Sequence, residues 1–230
     1  MIDKDPRRIQ RMFATIAPRY DRANHVLSLR FDVGWRKRVA RQILPRPGGV
    51  ILDLASGTGD LTADLIRFGK HRPVAADFTF EMLVAGRSKL DQFVPRPPQI
   101  SADALSLPFR GDSFDAVTVA FGIRNFADPL AGLREMFRVL RPGGGAGILE
   151  FSRPARPIDA FYRIYLNRLL PAIGGWITGR REAYQYLPAS VGEFPQGERF
   201  LALMRQAGFS NNTAARLSGG IVTFYRGEKP

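Results

Sequence analysis

Val50-Ile51-Leu52-Asp53-Leu54-Ala55 runs directly into Ser56-Gly57-Thr58-Gly59-Asp60. A short apolar run without polar alternation reads as a strand buried on both faces, as in a parallel sheet. The glycines that follow permit a sharp turn and a close ligand approach at the carboxyl end of the strand. A helix is predicted over 60–68. Working outward, strands are predicted at 73–77, 99–104, 115–121 and 147–151, and helices at 79–90 and 128–140. The last of these has Asp128 as N-cap and Pro129 in its first position. Alternating strands and helices imply parallel βαβ units and a doubly wound α/β sheet. Two alternating segments, 213–217 and 221–226, flank Ser218-Gly219-Gly220 and predict an antiparallel hairpin closing one edge.

The loop at 55–60 discriminates between ligands. In a dinucleotide fingerprint, G-x-G-x-x-G, the matching positions are Ala55, Gly57 and Asp60. An aspartate in the third position would oppose a pyrophosphate, because like charges repel. S-adenosylmethionine carries a sulfonium and no phosphate, so it tolerates that carboxylate. The reading is therefore an S-adenosylmethionine site, with an NAD oxidoreductase as the disfavoured rival. Asp77, 24 residues after Asp53, ends the second strand, where an acid can accept both ribose hydroxyls. Phe78 or Met82 can cover the adenine. Asp103 can accept from the adenine amine while the Ala104 N–H donates to the ring. Asp53, Asp60, Asp77 and Asp103 are expected along one rim, with Ala55, Gly57, Thr58 and Gly59 against the ligand.

Composition narrows the alternatives. The 230 residues are 45% hydrophobic and 24% charged, without cysteine and with only His25 and His71. Disulfide, thiolate and Cys-zinc chemistry are excluded, and no metal is expected. The net charge of +13 is uneven: residues 1–47 carry +8, 48–150 carry −1 and 151–230 carry +6. Basic flanks attract phosphate, in nucleic acid or in anionic lipid. No nucleic-acid motif interleaves with them, so a nucleic-acid-binding protein is a rival reading and not the first. The start has early charges and no apolar stretch, unlike a secretory signal. The uncharged window 169–179 is too short to cross a bilayer, which takes about 20 residues. A cytoplasmic protein is expected, with peripheral contact on the inner face of the membrane. Residues 157–173 carry too many apolar side chains for one narrow helix face and are expected to meet more than one surface.

Longer motifs extend the match. Tyr20-Asp21-Arg22-Ala23-Asn24, Leu27-Ser28 and Trp35 stand near the start, and Phe121-Gly122-Ile123-Arg124-Asn125-Phe126 at the centre. Arg138-Val139-Leu140-Arg141-Pro142-Gly143-Gly144, Glu150-Phe151-Ser152 and Tyr184-Gln185-Tyr186-Leu187-Pro188-Ala189-Ser190 follow. In these the chain resembles the ubiquinone/menaquinone biosynthesis C-methyltransferase family, within the class I S-adenosylmethionine-dependent methyltransferases. It departs from that family's signatures at Ala23, Asp32, Arg141 and Gly145.

The resemblance implies a seven-stranded, mostly parallel sheet in one domain over 1–230. That domain would comprise a basic helical flap (1–47), a cofactor-binding core (48–152), a substrate-side helical insertion (153–200) and a C-terminal helix and hairpin (201–230). It implies methyl transfer to a ring carbon of a polyprenylated quinol: demethylmenaquinol to menaquinol, with the ubiquinone-pathway benzoquinol as a second substrate. Methylation of another small acceptor is the alternative, and a homodimer stays open. Arg124, beside Asn125, is the candidate for lowering the quinol hydroxyl pKa, because arginine stays charged and is a poor base. Water or a nearby carboxylate takes the proton; Tyr20, Asp21 and Asn24 on the flap are candidates for that role and for shielding the site, with Asp21 as the candidate base. The expected structural partner of Arg124 is Asp128.

Overall fold

Strand residues alternate between two cores. The computed structural model describes residues 5–43, 47–156 and 158–230. It contains one seven-stranded sheet built from β1 (Val50–Leu54), β2 (Arg72–Asp77), β3 (Gln99–Ser101), β4 (Phe114–Ala120), β5 (Leu140–Phe151), β6 (Ser210–Leu217) and β7 (Val222–Glu228). The spatial order is β3-β2-β1-β4-β5-β7-β6. β1 to β5 pair in parallel, and β7 pairs antiparallel with both β5 and β6. Neighbouring side chains on a strand point to opposite faces. Leu52, Val117, Ile148 and Tyr225 accordingly pack on one face with α6 (Pro129–Val139) and α10 (Glu198–Gln206). Ile51, Ala116, Leu149 and Phe224 pack on the other with α3 (Phe31–Gln42) and α4 (Asp60–Arg67).

A third cluster lies off the sheet. Ile16 of α1 (Pro6–Ile16) and Ala23 of α2 (Tyr20–Leu27) pack with Tyr162, Leu166, Leu170, Ala183 and Tyr184. These last five belong to α7 (Ile158–Ile164), a π-helical turn (Tyr165–Leu169), α8 (Leu170–Thr178) and α9 (Arg181–Glu193). The basic N-terminal helices thus roof the sheet together with the later helical segment. The apolar helix expected over 157–173 begins at Ile158 and continues through the π turn to Thr178. Its excess of apolar residues divides between that cluster and solvent. Among the described residues, no helix is long and apolar enough to cross a membrane.

Two strand expectations need correction. β5 begins at Leu140 and not at 147, so Arg141 to Gly145 lie in the strand. Glycine there allows close pairing with the C-terminal segment: Gly143 N donates to Lys229 O at 2.8 Å and Gly144 O accepts from Lys229 N at 2.9 Å. β3 stops at Ser101, and Asp103 instead forms an isolated bridge with Ser106. Pro45 and Arg46 of the break before β1, and residues 1–4 of the flap, lie outside the described residues.

Candidate active site

The strand order reverses between β1 and β4, which opens a crevice at their carboxyl ends. The loops leaving both strands enter it in left-handed conformations at non-glycine residues, Ala55 (φ 53°) and Phe121 (φ 58°). Such backbone is sparsely populated and persists where its surroundings enforce it. Here a Cβ on Gly122 would lie 2.5 Å from that of Ala55, so glycine is needed for the two loops to touch.

A cavity of about 110 Å³ occupies the crevice. Ala55, Gly57, Asp77, Phe78, Met82, Asp103, Ala104 and Asn125 line it, with Tyr20 and Phe13 from the flap. Among the described residues, no lysine, arginine or histidine lines it. Two carboxylates suit the hydroxyls and amine of a nucleoside, neutral or positively charged. Asp77 accepts from Gly57 N and Thr79 N, each at 2.8 Å. Burial raises its pKa above the usual carboxylate value, while those two N–H groups oppose the shift. Asp103 Oδ1 accepts from Leu105 N at 2.9 Å.

Several expected rim residues lie elsewhere. Asp53 is 1% exposed and off the cavity wall. Its neighbour in the β1–β4 register is Thr118, whose hydroxyl donates to Asp53 Oδ1 at 3.1 Å, while Thr62 Oγ1 donates to Oδ2 at 2.6 Å. Burial raises the Asp53 pKa to about 7 against both hydrogen bonds. Asp60 turns away from the crevice. Lys89 Nζ holds its Oδ1, and Arg36 Nη2 lies 3.2 Å from Oδ2. Burial works to raise its pKa, but the two cations outweigh that and lower it. With Asp60 paired to Arg36 and Lys89, its repulsion of a pyrophosphate no longer argues against a dinucleotide, and an acid in the place of Asp77 serves the ribose of either ligand. Thr58 is buried and donates to Asp21, and Gly59 (φ 80°) caps α4 with Leu90 Cδ1 2.9 Å from where its Cβ would be. Neither reaches the cavity.

The flap carboxylate also departs from expectation. Asp21 accepts from Lys89 Nζ at 2.7 Å as well as from Thr58, and lines neither this cavity nor its neighbour. A proton acceptor must reach its proton directly or through one water, and Asp21 is committed outside. Asp32, where the chain departs from the family signature, is a buried hub accepting from His25 Nδ1 at 2.9 Å, from Ser28 and from Arg36. His25, Asp32 and Asp60 offer ligand-type atoms within 4.8 Å of one another, but Arg36 already pairs with both acids.

A second, larger cavity of about 470 Å³ adjoins the first: Phe13, Tyr20 and Phe121 line both. Its walls are aromatic and aliphatic, including Trp35, Phe151, Tyr162, Tyr165, Leu166 and Tyr184. Arg124 and Arg36 both line it; Arg124 is 5% exposed, with its guanidinium 5.5 Å from the Phe151 ring centre, and Arg36 is taken up by Asp32, Asp60 and Asp64. The partner of Arg124 is Glu150 and not Asp128. Arg124 Nη1 donates to Glu150 Oε1 at 2.8 Å and to Phe121 O, and the Arg124 backbone N–H reaches Glu150 Oε2 at 3.3 Å. Asp128 instead caps α6, accepting from Leu130 N and Ala131 N. Asn125 Oδ1 accepts from Tyr186 Oη at 3.1 Å, tying the loop after β4 to α9. Tyr20 is kept protonated: burial raises its pKa, opposed by Asn24 and by the Arg124 charge.

Sequence reasoning missed Glu150, Thr118 and Lys89. A signal existed for Glu150, because a carboxylate inside the apolar run Ile148-Leu149-Glu150-Phe151 demands a buried partner. Thr118 and Lys89 acquire their roles from strand register and helix packing, which no local pattern encodes.

This sheet order, with β7 antiparallel between β5 and β6, is that of the class I methyltransferase fold. The fold is shared with an S-adenosylmethionine-dependent methyltransferase from Thermotoga maritima (TM-score 0.69, 20% identity, 96% of this chain and 99% of that one). It is shared too with phosphoethanolamine N-methyltransferase 2 of Haemonchus contortus in complex with S-adenosyl-L-methionine (TM-score 0.60, 15% identity, 85% of this chain and 52% of that one). A profile of the ubiE/COQ5 methyltransferase family matches residues 1–229. The ubiquinone/menaquinone biosynthesis C-methyltransferase UbiE of Geotalea uraniireducens is 44% identical, over 96% of each chain. The demethylmenaquinone methyltransferases of Corynebacterium urealyticum (43%, 100% of this chain and 97% of the relative) and Thermus thermophilus (45%, 95% and 100%) are equally similar. The chain belongs to the ubiE/COQ5 methyltransferase family. That membership favours an enzyme over the nucleic-acid-binding reading.

Proposed function

We propose that this protein transfers a methyl group from S-adenosylmethionine to a ring carbon of a polyprenylated quinol, the reduced form of the demethylmenaquinone in its relatives' names. The carrying observation is the pair of adjoining cavities with Phe13, Tyr20 and Phe121 as common wall. The smaller cavity fits the nucleoside: Asp77 for the ribose hydroxyls, Asp103 and Ala104 for the adenine edge, Phe78 or Met82 against its face. Gly57 supports this fit, because a side chain there would stand 3.3 Å from Met82 Cε. S-adenosylmethionine supplies an electrophilic methyl on sulfur. The larger cavity fits an aromatic ring with an isoprenoid tail.

Arg124 stabilises negative charge on the ring oxygen, which makes the adjacent carbon nucleophilic. With Asp21 turned to Lys89 and Asp32 enclosed by three donors, the hydroxyl proton passes to water. The carbon–methyl bond forms as the sulfur–methyl bond breaks, and the proton on that carbon then leaves to restore the aromatic ring. The flap excludes bulk solvent and aligns the two reactants.

The mouth of the larger cavity suits a membrane-borne tail. Leu29 (78% exposed), Phe31 (59%) and Phe161 (75%) stand on its rim, beside the exposed Arg30. Apolar side chains next to cations favour an anionic bilayer surface, such as the inner face of a cell membrane. The test is a transfer assay with labelled S-adenosylmethionine and demethylated naphthoquinol or benzoquinol, in vesicles and in detergent. Label on the ring carbon, faster in anionic vesicles, is expected. Absence of ring-carbon label with either quinol would overturn the reading.

A further inference from the structure

Two buried polar atoms with no protein partner belong to residues that line the larger cavity. Arg124 Nε and Tyr162 Oη both lack a hydrogen bond, and both residues line that cavity. Arg124 is 5% exposed and Tyr162 7%. Buried polar groups are almost always paired, so two orphaned donors on one cavity point to a ligand atom that completes them. Tyr184 Oη is a third such atom but has Thr178 beside it. Tyr165, the next tyrosine along the helix, is already engaged: its hydroxyl donates to Leu27 O.

We propose that Tyr162 is a catalytic residue, its hydroxyl and Arg124 Nε forming a two-donor cradle for the oxygen of the acceptor ring. The proposal rests on the quinol reading above and deepens it. Arg124 is held for this role, since Glu150 Oε1 and Phe121 O bind Nη1 and leave Nε free. Tyr162 comes from the helical segment over 158–178, at the end of α7 and one turn before the π-helical turn Tyr165–Leu169, the kind of irregularity that often marks a functional site. Burial holds the Tyr162 hydroxyl protonated well above its usual range, against the opposing charge of Arg124. It therefore donates to an anion and does not accept the quinol proton. Fixed donors aimed at developing charge act strongly where water is excluded. The cradle favours an ionised phenolic oxygen over a neutral ether oxygen or a hydrocarbon at the same position.

The test uses 4-nitro-1-naphthol, whose anion is coloured, bound to the full chain in the presence of S-adenosylhomocysteine. The pKa of the bound naphthol is read from visible absorbance. In the wild-type protein it falls by about one unit or more below the value in water. Tyr162→Phe, which keeps the ring, recovers at least half of that fall and lowers kcat about tenfold or more, with S-adenosylhomocysteine affinity within twofold. Tyr225→Phe, at a buried tyrosine that lines neither cavity, is the control and leaves the bound pKa at the wild-type value. A Tyr162→Phe protein with the wild-type bound pKa would refute the role of Tyr162 and leave the quinol site standing. A wild-type protein that leaves the naphthol pKa unchanged would refute the cradle together with the placement of the ring beside Arg124.

Discussion

Arg124 and Glu150 form an ion pair of 2.8 Å in which neither side chain is more than 6% exposed. Each answers the desolvation of the other, and Glu150 also accepts from Phe151 N at 2.8 Å. A buried pair is strongly destabilised when one member is removed, by about 3–5 kcal/mol. Arg124→Ala is expected to lower kcat about a hundredfold or more, with S-adenosylmethionine affinity within twofold, because Arg124 lines only the larger cavity. Steady-state kinetics beside calorimetry checks this, and an unchanged kcat would remove Arg124 from the mechanism. Glu150→Gln keeps an acceptor oxygen but loses the charge. It should lower both the melting temperature and kcat.

Asp77 separates structural from ligand-binding duties. Its carboxylate already holds the N–H groups of Gly57 and Thr79. Asp77→Asn preserves one acceptor oxygen, and Asp77→Ala none. Calorimetric titration should show about tenfold weaker S-adenosylmethionine binding for the asparagine variant and a larger loss for alanine. Wild-type affinity in both would mean that the ribose lies elsewhere.

Asp53 makes stability depend on pH. Its pKa is about 7 in the folded protein and about 3.9 in an unfolded chain. The folded state thus binds the extra proton between those values, and stability falls as pH rises through that window, by at most about 1.4 kcal/mol per unit. Above about 7 the loss is complete. Asp53→Asn does not titrate, so its melting temperature relative to wild type should climb from pH 5 to 7 and then level off. A difference that is flat from pH 5 to 8 would show that Asp53 ionises normally.

Lys89 joins the flap to the core by contacting Asp21 of α2 and Asp60 of α4. Lys89→Met should speed proteolysis within the N-terminal helices several-fold while the sheet stays protected. Asp21→Asn should do the same more weakly and leave the pH dependence of kcat unchanged. An altered pH profile would restore Asp21 as the proton acceptor.

Leu29, Phe31 and Phe161 predict how the protein meets lipid. Two of them changed to aspartate, Phe31→Asp with Phe161→Asp, should weaken partition into anionic vesicles about tenfold or more in sedimentation, since each buried phenylalanine contributes about 1.5–3 kcal/mol. Activity on a short-tailed soluble quinol should hold. Equal sedimentation of variant and wild type would place the membrane contact on another face.

The sheet was legible because its strands are short apolar runs cut by Gly and Pro, and because Asp128 with Pro129 marks a helix start that the structure reproduces. β5 was shortened by the rule that Pro142 and three glycines end a strand, whereas here they admit Lys229 to the ladder. Within the candidate site, residues at or just beyond the carboxyl ends of β2, β3 and β4 were legible: Asp77, Asp103 and Arg124 all line a cavity. Asp60 and Asp21 were misplaced because their direction is set by Arg36 and Lys89, which lie 24 and 68 residues away respectively. Tyr162 could not be found at all from periodicity, since it sits in a segment where aromatic and aliphatic residues face two surroundings at once.

The account stands on donor and acceptor meeting across the wall of Phe13, Tyr20 and Phe121. A crystal structure with S-adenosylhomocysteine and a short-tailed demethylated quinol tests that most directly. The account predicts the sulfur beside this wall on the Asp77 and Asp103 side, the ring on the other, and one ring oxygen against Arg124. A quinol ring bound outside the larger cavity, with Arg124 touching only Glu150 and Phe121, would contradict it.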